Sequence, residues 1–229
     1  GAMGRVITFQ TTFGHKGPEM WSMDKSANTW FFKKASASFG SMADLGIHKI
    51  DLMRYLIGSE ITSVYSSMKV LDKKFPDGTP IEVDDNSVEV LTFANGALGT
   101  VEASKITAGT TDVMFLEITG TKGAIRWNLD NPGWLEFYDN TQPEAPLGGM
   151  RGYTRIECVG RYPAPGGSFL PAKNAIGWER GHMHCYFSFL SALAQGKTPA
   201  PGLEEGARLQ RLLDCMAASA AQHSWVTVD

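Results

Sequence analysis

The spacing of apolar residues changes period more than once along this chain. Residues 5–12 alternate as a strand does and run into Phe13-Gly14-His15-Lys16-Gly17-Pro18, where glycines and a proline predict a loop. The stretch from there to Gly40 is irregular and rich in Trp, Phe, Ser and Lys, a length of loop that is usually functional or mobile. Over 41–57 the period lengthens to that of a helix, with Met42, Leu45, Ile50, Leu52, Met53, Leu56 and Ile57 covering most of its surface. This helix is expected to be heavily buried. Ser41 stands where a cap belongs, Asp44 takes the capping-box position three residues on, and Gly58 suits a left-handed stop.

Strand patterns then dominate. Residues 61–71 and 81–93 are β-branched and partly alternating, and Asn95-Gly96 predicts a type I′ hairpin into 97–106. Segments 113–119 and 124–129 flank Gly120-Thr121-Lys122-Gly123, and 134–138 and 153–159 read as further strands. Turns this tight imply antiparallel neighbours. The Pro/Gly-rich stretches 140–152 and 162–177 are loops. Helices over 179–195 and 203–223 and a short strand over 224–228 close the chain.

Strands in runs, bracketed by helices, specify an α+β fold: one open, largely antiparallel sheet with helices on one face. We count a single domain over 4–229. Gly1-Ala2-Met3 is expected to be the remnant of a cleaved expression tag.

Composition narrows the function classes. Of 229 residues 43% are hydrophobic and 20% charged, enough for a substantial core without disulfides. The formal net charge is −3 and no Lys/Arg run exceeds two, which argues against nucleic-acid or anionic-membrane partners. No apolar stretch approaches a membrane span. Cys158, Cys185 and Cys215 are sparse and far apart, as expected of a cytoplasmic protein.

Candidate chemistry sits on the helix 41–57. Asp44 and His48 are four residues apart and Asp51 continues the line, a polar stripe on an otherwise apolar helix. Burying such groups is costly unless they are paired or used. Histidine titrates near neutral pH and suits general acid–base work, with a carboxylate one turn away to orient its ring. The residues alone leave other readings open: Asp44 as a helix cap with His48 as a core histidine, or a weak metal site with Asp51. His182 and His184 point to different helix faces, so with Cys185 they do not read as a metal site. Arg151 and Arg155 flank a Gly-rich loop and suit an exposed role.

The run Asp44-Leu45-Gly46-Ile47-His48-Lys49-Ile50-Asp51, closed by Gly58, resembles the D-x-G-x-H-x-x-D helix of the glucose–fructose oxidoreductase/inositol dehydrogenase/MocA family. His15-Lys16-Gly17-Pro18, Trp30, Gly120-Thr121-Lys122-Gly123 and the closing 214–219 and 225–228 segments are similar to that family's C-terminal domain. The resemblance implies the substrate-side, catalytic half of a two-domain NAD- or NADP-dependent dehydrogenase of a sugar, polyol or inositol-like substrate. His48 would accept the substrate's hydroxyl proton, Asp44 would position His48 or the substrate, and Asp51 would be structural. His15, Trp30 and His182 would line the substrate, and no metal is implied. No G-x-G-x-x-G and no E-K-P occur in these residues, so the nucleotide would be held by a Rossmann domain absent here. This chain alone is therefore expected to bind no cofactor and to be inactive. The resemblance also implies a homodimer or homotetramer through the open sheet face. A non-catalytic oligomerisation domain of the same fold is the rival reading.

Overall fold

In the computed structural model the residues described are 1–16, 29–37, 40–71, 74–75, 77–146, 149–160, 169 and 176–228. Among them nine strands form one sheet, in the order β8-β7-β6-β5-β1-β4-β3-β2-β9. The strands are β1 (Val6–His15), β2 (Ile61–Lys69), β3 (Asn86–Phe93), β4 (Leu98–Ser104), β5 (Asp112–Gly120), β6 (Gly123–Asn128), β7 (Trp134–Asp139), β8 (Tyr153–Glu157) and β9 (Val226–Thr227). Only β1 and β4 run parallel; the other pairings among the described residues are antiparallel. The helical segments are the four-residue α1 (Lys34–Ala37), α2 (Ile47–Ile57), α3 (Trp178–Ala194) and α4 (Leu203–Gln222). This is the open α+β sheet that the sequence predicts.

Alternation along each strand decides which face is covered. Phe9 and Thr11 of β1, Leu91 and Phe93 of β3, and Val101 and Ala103 of β4 are buried beneath the helices. Ile50 and Met53 of α2 and Leu212, Leu213 and Met216 of α4 complete that core. Burying each such side chain contributes about 2–3 kcal/mol as an upper estimate. The opposite face leaves Val88, Leu98 and Trp134 exposed.

Several local expectations need correction. β1 continues to His15, because its register with β4 and β5 holds through the residues expected to be a loop. Residues 81–85 precede β3 and are not strand; Ile81 and Val83 instead bury with Phe32 in a satellite cluster. Asn95 does not take the positive φ that a type I′ turn demands. Gly96 alone does (φ 85°), and it donates to the Phe93 carbonyl in a three-residue hairpin loop. The helix over 41–57 begins as a π-turn, Met42–Gly46, in which the Ile47 amide reaches back to the Met42 carbonyl. Its outer side is not buried: His48 and Tyr55 face solvent. The expected loops after Lys16 and over 162–177 fall mostly outside the described residues.

Candidate active site

The site grows from the parallel pair. Because β1 and β4 point the same way, their C-terminal ends emerge at one sheet edge, and the start of α2 lies over them. Gly46 permits the approach: a Cβ there would meet Met42 Sδ at 2.4 Å and the Ala103 Cβ of β4 at 3.2 Å. No larger residue lets the turn sit this low on the strand.

Ser41 does not cap this helix, and Asp44 completes no capping box. Ser41 is itself helical in φ and ψ and makes no side-chain cap bond. Asp84, just before β3, does the work from outside. Its Oδ1 accepts from the Gly40 amide (2.6 Å), and its Oδ2 accepts from Ser41 Oγ (2.6 Å) and the Met42 amide (2.9 Å). A carboxylate is favoured against these unpaired amides at a helix start. It ties the first turn of the helix to the strand layer.

With capping done elsewhere, Asp44 turns to the end of β4. Its Oδ2 lies 3.1 Å from the Nζ of Lys105, a lysine almost entirely buried while Asp44 keeps 28% of its side chain exposed. Burial holds the Lys105 pKa down, and the Asp44 charge, then its hydrogen bond, opposes that; Asp84 and Asp85 push the same way as Asp44. His48 turns instead to the end of β1, its ring centre 6.3 Å from that of Phe13. The expected contact of the Asp44 carboxylate with the imidazole is not formed among the described residues. Nor is His48 a core histidine, since it is exposed.

His15 ends β1 on the same face as Phe13, one pleat farther along, so Asp44, His48 and His15 share this edge. Asp51 pairs with Arg54 on the next turn, 3.7 Å away. Trp30 is half exposed in the short 3-10 turn Thr29–Phe32, which carries Phe32 into the satellite cluster. His182 is exposed on α3 and stacks edge-on against Trp178 with ring centres 5.1 Å apart. His184 takes a different neighbour, Phe169. Arg151 pairs with Glu144, and Arg155 lies over the Trp134 ring.

The start of α3 joins the same edge. A cavity of about 320 Å³ lies between Trp127 and Leu129 of the β6 end and Trp178, Arg180 and His184 of α3. The end of β6 is two strands from the end of β1, across β5, or about 10 Å by strand spacing. Trp127 packs on the core, so this cavity lies on the helix-covered face. Among the described residues no group of three or more His, Cys, Asp or Glu is disposed to hold a metal, and no helix is long and apolar enough to cross a membrane.

Sequence reasoning missed Lys105 and Asp84, which act on the helix from far along the chain. It also missed Lys49, fully buried beside His48, whose Nζ has no hydrogen-bond partner among the described residues and lies 6.0 Å from the Phe13 ring centre. Burial lowers its pKa to about 8. Its signal was readable: Lys49 falls four residues from both Leu45 and Met53, in the buried stripe.

Residues 1–126 match the family profile described as the GFO/IDH/MocA C-terminal domain. The chain is 29% identical over 247 residues to levoglucosan dehydrogenase of Pseudarthrobacter phenanthrenivorans, covering 100% of this chain and 61% of that protein. It is 36% identical over 88 residues to the NAD(+) scyllo-inositol 2-dehydrogenase of Bacillus subtilis, covering 38% of this chain and 25% of the relative. A solved levoglucosan dehydrogenase, in complex with NADH and levoglucosan, superposes with a TM-score of 0.85 at 30% identity, over all of this chain and 60% of that one. The chain thus spans about three-fifths of the length of these levoglucosan dehydrogenases.

Proposed function

The chain belongs to the GFO/IDH/MocA family as a C-terminal domain, and from that premise we propose that it is the substrate-side catalytic half of an NAD- or NADP-dependent dehydrogenase acting on a sugar, polyol or inositol-like substrate. The observation that carries this reading is the disposition of Asp44 and His48. Both stand at the sheet edge formed by the two parallel strands, one exposed and the other partly so. An imidazole in the open beside an ion-paired carboxylate is arranged to meet a ligand, and core packing gives no reason for it.

His48 accepts the proton of the substrate hydroxyl as that carbon is oxidised. A nicotinamide, when bound, takes the hydride from the carbon. Asp44, its charge matched by Lys105, accepts a hydrogen bond from a substrate hydroxyl and fixes which carbon lies beside His48. His15 closes the strand side of the pocket. The aromatic cavity at the start of α3, with His182 stacked on Trp178, offers an apolar ring face for a carbohydrate. Trp30 walls the pocket from the loop side.

We assign the nucleotide to a separate domain. These 229 residues contain no G-x-G-x-x-G to cradle its phosphates, so the chain alone neither binds NAD nor turns over substrate. The exposed Val88, Leu98 and Trp134 on the opposite face favour a second role, self-association as a dimer or tetramer in the cytoplasm. The test is nucleotide reduction by the full-length protein with a panel of anhydrosugars, aldoses, polyols and inositols. Saturable turnover of one class, abolished by H48A, is expected. Absence of turnover with both nucleotides, or turnover indifferent to H48A, overturns the reading.

A further inference from the structure

A lysine is rarely buried at the end of a strand without a reason, because its ammonium must leave water. Lys105 is 4% exposed, and its Nζ is 3.1 Å from Asp44 Oδ2. Two further acids contribute to its field, Asp84 and Asp85. Both also hold backbone groups: Asp84 those of Gly40 and Met42, with the Ser41 hydroxyl, and Asp85 Oδ2 the Leu71 amide at 2.8 Å. Asp44 is the carboxylate of the three that still has solvent access, so it is the one a ligand can reach.

We propose that Lys105 is a positioning residue for the dehydrogenase reaction, fixing the Asp44 carboxylate as an anion turned toward the end of β4 and away from the His48 ring. The proposal rests on the functional reading above. The lysine is held in place by the sheet itself. Its amide donates to the Asp85 carbonyl at 2.8 Å, just beyond the Asn86–Ser104 pairing that ends the β3–β4 ladder. That bond fixes where the side chain starts, and near-complete burial narrows the directions the ammonium can take. A fixed cation beside one carboxylate oxygen leaves the remaining acceptor positions of Asp44 aimed outward, at a substrate hydroxyl. It also divides the labour of the two residues. The matched carboxylate serves as hydrogen-bond acceptor, and the imidazole, free of it, takes the proton.

A residue that acts through Asp44 has a signature that a merely structural lysine lacks. In the full-length enzyme K105M should lower kcat/KM by roughly 10- to 100-fold, and K105R should restore it to within about threefold. In a D44N background K105M should cost less than about threefold, because the group it positions has lost its charge. K105M activity within threefold of the parent, or an equal loss in the D44N background, overturns the proposal. If K105M does not fold, K105R against K105Q decides the point, since both offer a donor and one carries the charge. Equal activity of that pair is then the overturning result. H48A serves as the separate control: loss of turnover in H48A with indifference at Lys105 sinks this inference alone, whereas indifference to H48A sinks the functional reading beneath it.

Discussion

The His48 and Phe13 rings lie 6.3 Å apart, centre to centre, at a tilt of 48°, and this contact sets the histidine at the end of β1. The imidazole is supported on one side by an aromatic ring and open on the other. Replacing it with alanine removes little packing, so the 229-residue chain should change its unfolding free energy by about 0.5 kcal/mol or less. In the full-length enzyme the same change should reduce turnover by roughly two to four orders of magnitude, the worth of a positioned base. Melting curves and steady-state kinetics on H48A check the two halves. A large loss of stability with near-normal turnover would return His48 to a structural role.

Gly46 sits in the D-x-G-x-H motif for a steric reason, and its substitution should damage both fold and site. A methyl group there meets Met42 Sδ, which can yield, and the Ala103 Cβ, which has no freedom of its own, so the turn must shift slightly on β4. G46A should cost about 1–3 kcal/mol by denaturant unfolding. Because the displaced turn carries Asp44, kcat/KM should fall as well, by roughly tenfold or more. A protein as stable and as active as the parent would mean that the close approach has no functional weight.

The sheet and helices were legible because they are written in local periodicity. The alternation of β3 and β4 and the apolar stripe of α4 appear in the sequence much as they appear in space. The Asp44–His48 motif was legible through resemblance and four-residue spacing. What was hidden is the long-range part. Asp84 replaces Ser41 as the helix cap across some forty residues of chain, and Lys105 claims Asp44 from the end of β4, some sixty residues on. Neither pairing has a spacing rule. The π-turn is likewise unreadable locally: it coincides with the close approach of Gly46 to Ala103, which no local spacing announces.

The open sheet face should mediate self-association. Val88 and Leu98 are exposed on the neighbouring strands β3 and β4, and Trp134 is exposed on β7, four strands from β4. Light scattering should therefore give a mass at least twice 24.9 kDa. L98D and V88D should shift it to the monomer with little change in melting temperature, since neither position is in the core. A monomer at high concentration in the unmodified chain would refute the assignment.

Lys49 gives the chain a specific dependence on pH. It stands in the buried stripe of α2 between Leu45 and Met53, fully enclosed, with no hydrogen-bond partner for its Nζ among the described residues. Desolvation lowers its pKa from 10.5 to about 8. A depression of that size corresponds to roughly 3 kcal/mol of destabilisation while the amine is charged in both states. Below about pH 8 the folded and unfolded chains both hold the proton, and the cost is present in full. Between about 8 and 10.5 the folded chain has released it and the unfolded chain has not. The unfolded state then binds more protons, so this group makes the unfolding free energy rise with pH across that window. K49M fills the same space without the charge. It should be more stable than the parent by about 1–3 kcal/mol near pH 7, with the advantage shrinking toward zero as pH approaches about 10. Urea unfolding of both proteins at a neutral and an alkaline pH measures the two differences, and Lys105, present in both, cancels. A gap that stays constant with pH would show that the Lys49 amine is not the titrating group.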